Sequence, residues 1–176
     1  MIVREDRNIF GGGLIIAVLR NYTATPIEIK YEKEENTELF WIKLHTTGNH
    51  KPIFLSGLYR SQRDIRSKNM INCLEESIHK LTGRKGQQSI VIVGDANLHI
   101  DWDPNQPKEN SSTKPLDEQM LKLCDNSHLI QLVNFPTRIE ETLDILLTSE
   151  PSSIVSVQPA PPLADHDLVI ADFEAI

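Results

Sequence analysis

The stretch Ser89–Trp102 contains the residues best suited to chemistry in this chain. A short apolar run rich in β-branched residues, Ile90–Val93, predicts a buried strand, and Gly94 ends it. Asp95 and Asn97 follow, at the point where groups past the carboxyl end of a strand in an α/β protein face a ligand crevice. The carboxylate could bind a metal ion or take a proton from water, and the amide could hold that water or a phosphate oxygen. The alternative is that Asp95 only caps a turn.

Two more acidic signals occur near the end of the chain. Asp144 interrupts the apolar segment Leu143–Leu147, and Asp165 and His166 precede a second apolar run, Leu168–Ile170. An acidic residue inside a buried strand is unfavourable unless another group pairs with it. A histidine with a carboxylate within reach can be held in one orientation and one tautomer. Three acidic signals at strand ends or within strands together favour a functional site over isolated turn caps.

The elements that must hold these residues are predicted from apolar periodicity and turn residues. The first half indicates a run of antiparallel strands, and two helices flank the central strand. The first helix, residues 64–81, has one apolar stripe and a glycine at position 83 as its stop. The second begins near Pro115 and ends near His128. The strands are predicted at residues 14–20, 27–29, 38–45, 53–59, 90–93, 129–133, 142–148, 154–157 and 168–173. The pattern indicates α+β or α/β with sheets, in a single domain of residues 1–176.

Composition disfavours several classes of protein. With 39% hydrophobic and 24% charged residues, the chain is typical of a globular domain. The formal net charge of −7 argues against a protein that holds nucleic acid by bulk positive charge, although local docking on a backbone is compatible with it. There is no apolar run of membrane-spanning length and no N-terminal signal peptide. We therefore expect an intracellular protein, nuclear or cytoplasmic, without membrane association. Cys73 and Cys124 are expected to be reduced, buried thiols, and there is no Cys/His zinc pattern.

Three motifs in a fixed order resemble those of the endonuclease/exonuclease/phosphatase superfamily. They are Gly-Asp-x-Asn at 94–97, Leu-Asp-x-x-Leu-x-Ser at 143–149 and Asp-His-x-x-Val at 165–169. Two further segments, Gly57–Arg60 and Asn134–Arg138, are most similar to the endonuclease domain of LINE-type, non-LTR retrotransposons. The resemblance covers nearly the whole chain, and it implies a two-sheet α/β sandwich with outer helices.

The resemblance also implies an activity, which is metal-assisted hydrolysis of a phosphodiester in DNA. Asp95 would activate or position the attacking water, with Asn97 holding that water. His166 would stabilise the transition-state phosphate, and Asp144 would orient His166. Tyr59 would reach the scissile phosphate.

A divalent cation, Mg²⁺ or Mn²⁺, is the implied cofactor, and Asp165 would lie in its shell. Weaker assignments as contacts to the substrate phosphate fall on Arg60, Thr137 and Arg138. Arg60 also belongs to the most basic cluster of the chain, which would contact a nucleic-acid backbone or form a solvated helix face. The other members of that cluster are Arg63, Arg66 and Lys68.

The beginning of the chain departs from the family pattern. Family members start with a further segment that carries an Asn on the first core strand and a metal-binding Glu on the next. The segment Arg4–Arg7 is similar to the middle of those domains, and Met1 lies only three residues before it. The chain therefore resembles the C-terminal two-thirds of such a domain, missing its first strands. Glu5 and Asp6, in an expected loop, match neither position. We therefore expect unpaired sheet edges, and an activity impaired by weaker metal binding.

Three functions follow as alternatives. The first is a DNA-nicking endonuclease of retrotransposon origin, with DNA as its substrate and no obligate protein partner. The second is a catalytically inactive remnant or a binding module. The third is a phosphatase or phosphodiesterase that acts on a small molecule or a lipid, which the lack of a substrate-specific insert disfavours.

Overall fold

A mixed six-stranded sheet lies at the centre of the computed structural model, which describes residues 1–7, 12–30, 37–45, 51–62, 69–83, 88–103, 114–162 and 164–174. Its strands are β3 (Thr23–Ile27), β4 (Thr37–His45), β5 (Ile53–Arg60), β6 (Ser89–Asp95), β7 (Ile130–Gln131) and β8 (Asp144–Thr148). They lie in the order β3-β4-β5-β6-β8-β7. Strands β5 and β6 run parallel, whereas the other neighbours are antiparallel. The carboxyl ends of β5 and β6 therefore meet the start of β8 at one edge of the sheet.

The central sheet is apolar on both faces. In β4, Leu39 and Trp41 belong to the core on one face, whereas Phe40 and Ile42 belong to a second cluster on the other. In β6, Ile90–Ile92 are all buried. A strand that is covered on both sides has no polar face, which explains why these segments are nearly continuous apolar runs in the sequence.

Two helices cover the face that carries the larger core. They are α1 (Asn69–Thr82) and α2 (Lys114–Asn126). The apolar stripe predicted for α1 is buried, with Ile71, Leu74 and Ile78 in the core. The Thr82 hydroxyl donates to the Ile78 carbonyl over 2.8 Å in the last turn. The matching buried residues of α2 are Leu116, Met120 and Leu123.

The opposite face is covered by two separate two-stranded sheets. One pairs β1 (Ile2–Asp6) with β2 (Gly13–Ala17), and the other pairs β9 (Ile154–Ala160) with β10 (Leu168–Phe173). A single 3₁₀ turn, Pro151–Ser153, leads into β9. The side chains of Val3, Leu14 and Ile16 pack against the second apolar cluster of the central sheet.

An apolar cleft of about 970 Å³ lies between these two hairpins and the central sheet. Leu55, Val91 and Val93 form part of its floor, and Ala17 of β2 and Leu168 of β10 lie at its sides. Within the described ranges, β2 pairs with β1 alone and β10 pairs with β9 alone. In the described part of the chain, β2 and β10 therefore each have one edge without a strand neighbour. Unpaired sheet edges of this kind are predicted from the sequence.

The α/β class and most elements predicted from the sequence are confirmed. The prediction of a loop at Glu5 and Asp6 is wrong, because both residues lie in β1. The predicted strand 129–133 is shorter, covering only Ile130–Gln131. Helix α1 is described from Asn69, and the basic residues Arg63, Arg66 and Lys68 lie outside the described residues. Cys73 and Cys124 are buried and form no disulfide, as predicted. None of the helices in the described ranges has the length and apolarity needed to span a bilayer.

Candidate active site

Three predicted site residues lie side by side across three neighbouring strands. Tyr59 of β5 is in register with Asp95 of β6, and Asp95 is in register with Asp144 of β8. Residues directly opposite on neighbouring strands project to the same face, with their Cβ atoms about 5 Å apart. The sheet therefore brings a phenol and two carboxylates into one row at its edge, although they are far apart in sequence.

The turn after β6 holds Asp95 and Asn97 in a fixed relation. Gly94 has φ +140°, and a Cβ at this position would lie 1.9 Å from the carbonyl oxygen of Leu58. Only glycine fits this close approach of β6 to β5. The carboxylate of Asp95 then accepts a hydrogen bond from the Asn97 backbone N–H over 3.0 Å. Asn97 itself has φ +47°, in the left-handed region that asparagine tolerates better than most residues.

Burial is the main reason why the pKa of Asp95 is raised above its ordinary value, and the neighbouring charge of Asp144 is the second. His166 and the hydrogen bonds from Asn97 act in the opposite direction and do not cancel the rise. A carboxylate with a raised pKa accepts a proton more readily than an exposed one. This property suits a general base that takes a proton from water.

Asp144 and His166 form a hydrogen-bonded pair. The Nδ1 atom of His166 lies 2.8 Å from Oδ2 of Asp144, and both side chains are more than three-quarters buried. Because Nδ1 is occupied by the carboxylate, the Nε2 atom is the ring nitrogen left for a substrate. Asp144 is the first residue of β8, and His166 lies in the segment that leads into β10. Their contact is the oriented imidazole that the sequence predicts.

Asp165 pairs with Arg138 rather than with other acidic groups. Its Oδ2 atom lies 2.8 Å from Nη2 of Arg138, and its side chain is 67% exposed. Among the described residues, no three His, Cys, Asp or Glu side chains gather in a group that could hold a metal ion. The described side chains therefore do not by themselves fit a metal centre, and the role of Asp165 as a metal ligand stays a prediction.

Arg60 and Thr137 have positions that conflict with a direct phosphate contact. Arg60 is 1% exposed, and its guanidinium donates to backbone carbonyls of the turn after β6. Thr137 is fully buried, and its hydroxyl oxygen accepts the backbone N–H groups of Leu143 and Asp144, each over 3.1 Å. These side chains are engaged with the protein backbone, so the structure corrects both assignments. Arg138 differs from both, because it is partly exposed and lines the same pocket as His166 while paired with Asp165.

A pocket of about 410 Å³ collects most of the predicted site. Its walls include Tyr59, Asp95, Asn97, Arg138, Asp165 and His166. Ser61 and Gln62 also line it, although they are not among the site residues predicted from the sequence. Their position directly after Tyr59, past the carboxyl end of a sheet strand, is the signal that could have identified them.

A known protein family matches the part of the chain that carries the candidate site. A model of the family described as endonuclease-reverse transcriptase matches residues 53–170, about two-thirds of the chain, and the match contains all three motifs. No curated protein matches this chain significantly.

Solved structures share the fold. The catalytic domain of human Nocturnin, with bound sulfate, has a TM-score of 0.67 and 12% identity over 100% of this chain and 72% of its own. An endonuclease/exonuclease/phosphatase family protein from Leptotrichia buccalis has a TM-score of 0.60 and 10% identity, covering 99% of this chain and 71% of its own. One from Bacteroides thetaiotaomicron has a TM-score of 0.57 and 9% identity, covering 96% and 71%.

At these identities the structural likeness shows the fold alone, and it confirms the α/β architecture expected from the motifs. The specific similarity to the endonuclease domain of LINE-type retrotransposons stays a prediction. On the family match and the shared fold, this chain belongs to the endonuclease-reverse transcriptase family, within the endonuclease/exonuclease/phosphatase superfamily.

Proposed function

We propose that this chain hydrolyses phosphodiester bonds, and that its substrate is DNA, which it nicks as an endonuclease of retrotransposon origin. The observation that carries the proposal is the row of Tyr59, Asp95 and Asp144, with His166 bonded to Asp144 beside a pocket. Displacement at a phosphate requires a general base that activates the attacking water, which a carboxylate can supply. It also requires donors to the developing charge on the phosphate oxygens, which an imidazole, a guanidinium or a phenol can supply.

Each side chain has a distinct role in this proposal. Asp95 takes the proton of the attacking water, for which its raised pKa is suited, and the resulting hydroxide attacks phosphorus. The bond from phosphorus to the leaving oxygen breaks on the opposite side, and the leaving alkoxide takes a proton from solvent. His166 acts in its doubly protonated form, in which Nδ1–H donates to Asp144 and Nε2–H donates to a phosphate oxygen on which charge develops. Tyr59 and Arg138 line the same pocket, and they stabilise the non-bridging oxygens of the phosphate.

A divalent cation, Mg²⁺ or Mn²⁺, belongs to the proposal as a cofactor that would stabilise negative charge on the phosphate. The described residues supply only a partial set of oxygen donors for it. The steps assigned above therefore use only the protein's own side chains.

The test is nicking of supercoiled plasmid by the purified protein, with Mg²⁺, with Mn²⁺ and with EDTA. The His166→Ala variant should lose at least about 10²-fold in rate, as is usual when a donor to developing charge is removed. His99→Ala is a matched control, because His99 forms a similar pair with Glu141, over 2.6 Å, and is not a wall residue of the pocket. Nicking that survives unchanged in His166→Ala would refute the proposed role.

A binding module without catalytic activity is the second candidate, favoured by the lack of a three-ligand metal group among the described residues. A folded protein that does not nick DNA under any of the metal conditions, but retains DNA in a filter-binding assay, would support this candidate. A folded protein that hydrolyses a small phosphate ester but leaves plasmid intact would instead refute DNA as the substrate.

A further inference from the structure

Arg60 and the turn after β6 hold each other through reciprocal hydrogen bonds. The guanidinium donates from Nε to the Ala96 carbonyl over 2.8 Å, and from Nη2 to the Asn97 carbonyl. In return, the Asn97 side-chain amide donates from Nδ2 to the carbonyl of Arg60 over 2.7 Å. The last residue of β5 is thereby fastened to the residues that follow β6, 36 and 37 positions further along the chain.

Because both side chains are buried, their hydrogen bonds must be formed within the protein. Arg60 is 1% exposed and Asn97 is 3% exposed, so water cannot replace a partner that either side chain loses. Burial of a guanidinium is unfavourable unless its N–H groups donate hydrogen bonds. Because the group is planar and rigid, it fixes the angle between the two hydrogen bonds that it donates. The two carbonyls of the turn are therefore held at a set distance and orientation to β5.

The turn needs such an external constraint because its backbone is unusual. Asn97 has φ +47°, a conformation that side chains other than glycine adopt at a cost. The same turn presents the Asp95 carboxylate, which accepts the Asn97 N–H over 3.0 Å. A rotation of the Asn97 peptide would break this bond and turn the carboxylate out of line with Tyr59 and Asp144.

We propose that Arg60 is a positioning residue, which fixes the direction of the Asp95 carboxylate and of the Asn97 amide and does not touch the substrate. The proposal rests on the proposed function, because its kinetic consequence requires the hydrolysis described above. A buried guanidinium can hold the two carbonyls of the turn in place, whereas an exposed one at the same strand end would exchange these bonds with water.

Kinetics separate positioning from substrate binding. Arg60→Lys retains the charge but lacks the two-pronged donor, and Arg60→Met retains an unbranched side chain but has no donor. Both should lower kcat by about 10²-fold, as expected for a displacement of about 1 Å at the reacting groups. KM should stay within about 3-fold of the wild-type value, since no contact with the ground-state substrate is removed. A raised KM with an unchanged kcat would show a direct contact and overturn the proposal.

A second variant controls for general loss of stability. Ile78→Val removes one buried methylene group from the core face of α1, outside the site. It should lower the melting temperature without the loss of kcat. If Ile78→Val and Arg60→Lys lose kcat in proportion to their melting temperatures, Arg60 acts only through stability and the proposal fails.

The last measurement does not depend on activity. In the wild type, the backbone and side-chain amide protons of Asn97 should exchange slowly, and its carbon shifts should report the left-handed φ. In folded Arg60→Lys, exchange at both groups should accelerate at least about tenfold, and the carbon shifts should move towards those of ordinary φ. Unchanged exchange and shifts would overturn the proposal. If wild-type protein hydrolyses nothing, the proposed function fails, and the exchange data still decide whether Arg60 orders the turn.

Discussion

Asp95 and Asp144 stand directly opposite each other on the adjacent strands β6 and β8. Two carboxylates at this separation repel one another, and the charge of Asp144 is one cause of the raised pKa of Asp95. The arrangement is tolerated because each acid has its own donor, His166 for Asp144 and the Asn97 N–H for Asp95. The two paired aspartates thus have different environments. That of Asp95 suits a general base, and that of Asp144 suits a group that orients the His166 ring.

Replacing Asp144 by Asn should move the acid limb of the pH–rate profile to lower pH. The charge of Asp144 raises the pKa of Asp95, so its removal lets that pKa fall towards the ordinary value of an aspartate. The rate on the plateau should also fall, by about 10²-fold, because His166 loses its charged partner. The measurement is kcat/KM between pH 4 and 9 for both proteins. An acid limb that stays in place, or moves to higher pH, would contradict the assignment of Asp95 as the base.

Replacing Asp95 by Asn should stabilise the protein at neutral pH while it abolishes hydrolysis. Because the folded-state pKa of Asp95 is raised, the ionised carboxylate is less favourable in the folded than in the unfolded chain. This cost is present above the folded-state pKa and disappears where Asp95 is protonated in both states. Chemical unfolding at pH 7 should therefore show a larger free energy of unfolding for the variant, and the difference should vanish in acid. The exposed residue Asp125 provides the control, since Asp125→Asn should change stability little at either pH.

A pair of glycine substitutions tests the close approach of β6 to β5. Gly94→Ala should lower the free energy of unfolding by at least about 2 kcal/mol, because the new Cβ meets the Leu58 carbonyl oxygen and the backbone has φ +140°. Gly57→Ala is the matched substitution in β5, where a Cβ would lie 3.6 Å from Ile16, an ordinary contact. Thermal and urea unfolding would compare the two. Equal losses would show that the close approach at Gly94 is not what requires glycine.

Two substitutions at Thr137 separate its oxygen from its methyl group. Thr137→Val removes the acceptor for the backbone N–H groups of Leu143 and Asp144, and it should cost about 1 to 3 kcal/mol of stability. Thr137→Ser retains the oxygen and should cost less. The His166 ring resonances should also shift in the valine variant, since Asp144 leaves its position. A serine variant that is the less stable of the two would show that packing, not hydrogen bonding, dominates at this position.

The Cys124 thiol should resist modification in the native protein. Burial raises the pKa of Cys124 to about 12, so at pH 8 the reactive thiolate is scarce as well as inaccessible. Ellman's reagent should react with Cys124 and Cys73 only after a denaturant is added. Rapid reaction of the native protein would mean that α1, which carries Cys73, or α2, which carries Cys124, opens locally.

The sequence predicted the acids of the site better than their supports. Asp95 and Asp144 could be found because polar residues at the ends of apolar strands are conspicuous, and the ordered motifs linked them to His166. For Arg60 the sequence indicates a contact to the substrate phosphate, in a basic cluster that would meet a nucleic-acid backbone or form a solvated helix face. Its actual partners are backbone carbonyls 36 and 37 residues away, and no residue pattern marks a backbone carbonyl as a partner.

Strand β1 was missed for a related reason. Its residues Arg4, Glu5 and Asp6 are exposed, and Arg4 forms an ion pair with Asp6 over 3.0 Å. A strand without an alternating pattern is defined by its neighbour, here the apolar β2, rather than by its own residue types. Tertiary pairing thus decided the element where local propensity did not.

The β9–β10 hairpin is fastened to the central sheet largely through the site itself. His166 binds Asp144, Asp165 binds Arg138, and the Asp167 N–H donates to the Thr137 carbonyl over 2.7 Å, whereas the apolar cleft lies beneath β10. We expect the hairpin to detach as one unit, at a lower free energy than global unfolding, and to dock late during folding. A protease that cuts the transiently released hairpin would then inactivate the protein while the six-stranded sheet stays intact. The contact between the His166 imidazole and the Asp144 carboxylate would then govern how long the whole segment stays docked.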